Sequence, residues 1–123
     1  MRRTSFLLLF LLAACATQDT AASLDGTNWT LNTSSAITLR FADGSATGSG
    51  GCNQYRATYT ESGSSLTFGP IGATKRACVD PEGNRRESEY FDALSRVASY
   101  AISGNRLTLR DAAGTTLLEF TRA

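Results

Sequence analysis

The run Thr47-Gly48-Ser49-Gly50-Gly51-Cys52-Asn53-Gln54-Tyr55 constrains the fold more than any other stretch of this chain. Glycine inside a strand pattern marks a bulge, a barrel corner or a close approach of two backbones. Gly50 and Gly51 are therefore expected to turn the chain at a barrel corner, with Asn53 hydrogen-bonding nearby backbone. A cysteine directly after such a corner is well placed to tie it to another segment. The candidate partner is Cys78, in Thr74-Lys75-Arg76-Ala77-Cys78.

Short alternating runs lie on both sides of the corner. Trp29 and Leu31 share one face of a first strand, and Ile37, Leu39 and Phe41 alternate with Thr38 and Arg40 in a second. Asp43-Gly44 is a hairpin turn signal, and Ser45 to Ser49 is the return strand. Gln54 to Thr60 and Leu66-Thr67-Phe68 are further strands, ended by Gly69-Pro70. Ile71 to Arg76 is expected to run extended toward Cys78. Tyr100 with Ile102, Leu107 with Leu109, and Leu118 with Phe120 mark the last three strands.

One helix interrupts this series. Asp80 before Pro81 reads as N-cap and N1, and Glu82 suits the positive end of the helix dipole. Gly83 and Asn84 weaken the first turn, which places the start of regular helix near Asn84. Tyr90, Phe91, Leu94 and Val97 fall on one face, with Arg86, Glu89, Asp92 and Arg96 largely on the other. The carboxylates Glu87 and Glu89 read as part of a solvated, mixed-charge face. The expected fold is mainly β (α+β): a small, strongly curved antiparallel sheet or partly open barrel with one amphipathic helix in the C-terminal half. Trp29, Phe41, Phe68, Tyr90, Phe91, Tyr100, Leu107 and Phe120 should fill it.

The first residues have a different character. Arg2 and Arg3 precede the apolar run Phe6 to Leu12, too short for the ~20 residues of a membrane-spanning helix. Leu12-Ala13-Ala14-Cys15 follows and resembles the lipobox of bacterial lipoproteins. Residues 1–14 are then a signal peptide, Cys15 is the lipid-attachment residue, 15–25 is a lipidated tether and 26–123 is the domain. The other reading is an ordinary signal peptide cut nearby, with Cys15 a bystander. Several acyl chains at ~0.8 kcal/mol per buried methylene make a lasting anchor. By the sorting rule known for the enteric lipoproteins that this segment resembles, Ala16 after the cysteine implies the outer membrane, with the domain facing the periplasm.

The 123 residues contain three cysteines and no histidine. Assigning Cys15 to lipid leaves Cys52 and Cys78 as a pair in an oxidising compartment, where a disulfide is expected; two separate buried thiols are the other reading. The missing histidine removes Ser-His-Asp and Cys-His catalysis and histidine zinc sites. Without Arg2 and Arg3, ten basic side chains face eleven acidic ones, so nothing points to nucleic acid.

From Gly26 to Phe120 the chain resembles the META domain (HslJ-like) family. The resemblance is carried by Trp29 with Leu31, by Ile37 to Phe41 ahead of Asp43-Gly44, then by Gly48-Ser49-Gly50-Gly51-Cys52-Asn53. Leu66-Thr67-Phe68-Gly69-Pro70, Thr74-Lys75-Arg76-Ala77-Cys78, the helix residues Tyr90, Phe91, Leu94 and Val97, Tyr100 and the last hairpin complete it. One departure is that Val79-Asp80 stand between the second cysteine and Pro81, where many members have proline at once. The resemblance implies a curved sheet with one helix, similar to small pilotin lipoproteins. It also implies association with envelope stress or drug tolerance, without catalytic residues.

No cofactor or metal is expected, and catalysis is not. Ser49, Ser62 and Ser64 lack a placed base, and Lys75, the sole lysine, reads as a solvated strand-end cation beside Arg76. The Gly48 to Gly51 run lacks the Gly-Lys-Ser/Thr ending of a phosphate loop. The function expected is a monomeric, lipid-anchored binding module for an envelope protein or a small apolar ligand. A pilotin-like chaperone and a periplasmic lysozyme-type inhibitor are the alternatives.

Overall fold

The computed structural model describes residues 23–123, so the signal segment and the expected lipid-attachment residue Cys15 lie outside the described residues. Hydrophobic alternation is realised in nine strands: β1 (Asn28–Leu31), β2 (Ser34–Ala42), β3 (Ser45–Ser49), β4 (Gln54–Ser62), β5 (Ser65–Phe68), β6 (Gly72–Ala73), β7 (Ser99–Ser103), β8 (Arg106–Arg110) and β9 (Thr116–Arg122). One helix, α1 (Pro81–Ser95), separates β6 from β7. On β2, Ile37, Leu39 and Phe41 are buried while Arg40 is exposed. Asp43 and Gly44 turn the chain into β3 with φ of 54° and 81°, the left-handed pair that matches strand twist in a two-residue hairpin.

The strands run β3-β2-β1-β9-β8-β7-β5-β4, and a β3–β4 pairing joins the two ends into a ring. The ring is not a regular barrel. β4 pairs with β3 on one side, and on the other with β5 through Tyr59 to Ser62 and with β6 through Tyr55 and Arg56. The seam between β5 and β7 is one register pair, Ser65 with Ser99, flanked by Leu66 N to Ala98 O (3.1 Å) and Tyr100 N to Ser64 O (2.9 Å).

Trp29, Phe41, Phe120, Leu24, Ile37, Leu39, Leu66, Leu94, Leu107 and Leu109 are each under 2% exposed, and they fill the interior. Leu24 belongs to this body, two residues ahead of the expected start of the domain. Phe68 and Phe91, both expected inside, are half-buried. They sit at the margin as covers: Phe68 stacks on Phe41 at 6.1 Å, and Phe91 lies edge-on to Tyr55 at 5.4 Å. Among the described residues no helix is long and apolar enough to cross a membrane.

One local expectation is refined and one is corrected. In the stretch from Ile71 to Arg76, Gly72–Ala73 pairs as strand, and beyond it the Asn53 amide holds the Arg76 backbone by hydrogen bonds. The helix starts at Pro81, not near Asn84. The Asp80 side chain accepts from Glu82 N at 3.0 Å and its carbonyl accepts from Gly83 N at 3.0 Å, which closes the first turn despite the glycine. Val97 is buried but lies past the helix end at Ser95.

Candidate functional site

The glycine-rich run closes around an anion, and the anion is the chain's own. The Glu87 carboxylate of α1 accepts from Cys52 N (3.0 Å), Asn53 N (2.7 Å) and Asn53 Nδ2 (2.7 Å). Successive backbone N–H groups in such a turn form a concavity suited to negative charge. Glu87 is 7% exposed, which corrects its reading as a solvated residue. The signal was present in its spacing: residues 83, 87, 90, 91 and 94 form one helical stripe, so position 87 lies between apolar neighbours.

The two glycines of the corner have different reasons. Gly51 adopts φ +109°, a conformation that residues with a Cβ rarely take. A Cβ on Gly50 would instead lie 2.7 Å from Glu87 Oε2 and 2.8 Å from Phe91, so its bare backbone admits the helix. Asn53 spends its whole amide here. Its Oδ1 accepts from Thr74 Oγ1 (2.8 Å) and Arg76 N (2.6 Å), and its Nδ2 donates to Arg76 O (2.8 Å) as well as to Glu87.

Cys52 and Cys78 are joined by a disulfide across 26 positions, with Cα atoms 5.2 Å apart. Gly83 accounts for its place in the first helical turn: a Cβ there would meet Cys78 Sγ at 2.7 Å. Asn84 Oδ1 accepts from Cys78 N at 2.9 Å and holds the loop to the helix. One turn on, the Tyr55 and Tyr90 hydroxyls share a hydrogen bond of 2.6 Å, and Tyr55 also donates to Thr38 O (2.7 Å). Burial raises both phenols above the ordinary tyrosine value of 10.0.

A second feature lies on the outer wall of β1, β2, β3, β4 and β6, where a groove of about 1000 Å³ is open to solvent. The register sets one row of residues across it: Asn28 beside Arg40, Arg40 beside Thr47, Thr47 beside Arg56, and Arg56 beside Gly72. Their neighbours along the strands include Thr38, Gln54 and Thr74. At Gly48 the floor has no side chain, and a Cβ there would collide with the Thr38 carbonyl. Trp29, Leu39 and Tyr55 also border the groove but are buried.

The ion pairs among the described residues all lie on α1: Arg85 with Glu82 and Glu89, and Arg96 with Asp92. Neither Arg40 nor Arg56 takes part, and sequence reading assigned neither a role. Lys75 is exposed, and no described serine is hydrogen-bonded to it. Among the described residues no group of three or more His, Cys, Asp and Glu is placed to hold a metal.

The family model for the META domain matches residues 14–123. The chain belongs to the META domain family. As a META domain it is similar in fold to a protein from Burkholderia xenovorans solved by NMR, with TM-score 0.67 and 25% identity over 92% of this chain and 99% of that one. It is also similar to a crystal structure of a DUF4847 family protein from Bacteroides vulgatus, with TM-score 0.59 and 17% identity over 80% and 93% of the two chains. No curated protein matches the sequence.

Proposed function

We propose that this META domain is a non-catalytic binding module of the bacterial envelope, anchored through lipid on Cys15 to the outer membrane and facing the periplasm. Its recognition surface is the groove over β1 to β4 and β6. The observation that carries the reading is the contrast between a barrel interior filled by aromatic and leucine side chains and an open groove on its wall. A filled interior favours surface recognition over storage of an acyl chain, and concave surfaces are where small ligands and partner segments bind. The role is tied to envelope integrity or drug tolerance.

Complementation of a deletion strain tests this. Thr47→Trp fills the groove from a half-buried position and should fail to restore resistance to detergents and drugs, whereas Arg86→Gln on the outer face of α1 should restore it. Rescue by the tryptophan variant, or a deletion strain with unchanged sensitivity, overturns the reading. Labelled palmitate should enter the wild-type protein and not Cys15→Ala.

A further inference from the structure

We infer that the groove binds a phosphate group carried on a polyol, gripped by Arg40 and Arg56 above Thr47. This rests on the groove being the recognition surface and adds the class of its ligand. Register supplies the grip. Arg40 and Arg56 stand one strand to either side of Thr47 on the same outward face. With neighbouring strands ~4.8 Å apart, their Cα atoms are roughly 10 Å apart, and both guanidinium forks reach a group seated over Thr47.

The two cations are uncompensated. Neither has an ion pair or hydrogen bond among the described residues, while the paired arginines of α1 have carboxylates three or four residues away. No Asp or Glu side chain lines the groove, which Ala123 also borders; its polar side chains are the hydroxyls of Thr38, Thr47 and Thr74 and the amides of Asn28 and Gln54. Two like charges on a face without acidic side chains create a positive field, which an anion placed between them relieves. Two planar forks suit the several oxygens of a phosphate.

The remaining lining describes the rest of the ligand. A groove of about 1000 Å³ is larger than one phosphate, and Gly72 adds no side chain to its lining. Hydroxyls and amides match the hydroxyls of a sugar or glycerol. The bordering aromatic residues, Trp29 and Tyr55, are buried, so no ring is offered for a nucleobase to stack upon. The ligand is therefore a sugar phosphate or a glycerophosphate headgroup, and the shared chemistry is the phosphate monoester or diester on a polyol.

Titration of the full chain, followed by NMR, decides it. Glucose 6-phosphate should shift the Arg40, Thr47 and Arg56 signals, and neutral glucose should not. Arg40→Gln or Arg56→Gln should weaken binding at least about tenfold, the loss expected for one charge-assisted hydrogen bond. Arg86→Gln should leave it unchanged. Competition by phosphatidylglycerol vesicles, but not phosphatidylcholine vesicles, identifies a lipid headgroup as the source; absence of competition identifies a soluble phosphate. Absence of binding by both glucose 6-phosphate and phosphatidylglycerol, or binding indifferent to both arginine variants, overturns the inference. Should that happen while Thr47→Trp still fails in cells, only the ligand class is wrong; rescue by Thr47→Trp removes the groove reading itself.

Discussion

The corner at Gly50 to Asn53 and the groove at Arg40 to Arg56 are neighbours along the same strands, and they treat polar groups in opposite ways. In the corner, a buried carboxylate, an asparagine amide and the Arg76 backbone satisfy one another within hydrogen-bond distance. In the groove, two guanidinium groups face solvent without a partner among the described residues. A polar group already satisfied inside the fold has nothing left to offer a ligand, and removing it exposes a desolvation cost. An unsatisfied cation on the surface costs the fold little and remains available. The glycine-rich loop is thus the fastening, and the plain strand residues beside it form the proposed recognition surface.

Substitutions should separate the two regions by stability. The largest loss is expected for Glu87→Ala, about 3–5 kcal/mol, because three N–H donors lose a buried charged acceptor; urea denaturation measures it, and an unchanged midpoint would show the corner idle. Replacing Cys52 and Cys78 by serine should cost about 3 kcal/mol for a loop of this length, read as a lowered melting temperature. Gly83→Ala should cost about 1–3 kcal/mol by forcing a methyl group onto Cys78 Sγ. At the small end, Arg40→Gln and Arg56→Gln should change stability by no more than about 0.5 kcal/mol. A loss comparable to that of Glu87→Ala would make the groove arginines structural and erase the contrast.

Alkaline pH adds a further test between these extremes. Burial and then the hydrogen bond to Glu61 push Tyr100 up to about 12, and burial raises Tyr55 and Tyr90 as well. A tyrosine with a raised native value keeps its proton longer folded than unfolded. Its contribution is therefore complete below the unfolded value of 10.0 and is lost as pH rises through the native one. Melting temperature should fall between pH 10 and 12. The fall should flatten in Tyr100→Phe, while the groove variants should retain the wild-type slope.

Much of the fold is legible in particular residues. Ile37, Leu39 and Phe41 announce β2 by alternation, and Asp43-Gly44 announces its hairpin, because both signals are local. Glu87 escapes the sequence reading because a glutamate that follows two arginines and precedes Ser88 and Glu89 reads as solvated when charge is weighed before position. Its place on the Tyr90 and Leu94 stripe carried the opposite message. The helix start was misplaced for a related reason. Gly83 weakens a helix by propensity alone, but the disulfide against it requires the missing side chain.

By itself the sequence determined the β-rich class, the hairpins, the amphipathic helix α1 and the assignment to the META domain family, since each rests on short-range pattern or on ordered motifs. Tertiary structure decided that the ring closes through β3 and β4, that the corner cradles Glu87, and that Arg40 and Arg56 meet across Thr47. The first and third depend on register through β2, β3 and β4, and the second on contacts between residues 34 and 35 positions apart. A one-residue slip would turn either arginine to the opposite face. Local propensity specifies which residues alternate; only the closed set of strand pairings specifies which of them stand side by side.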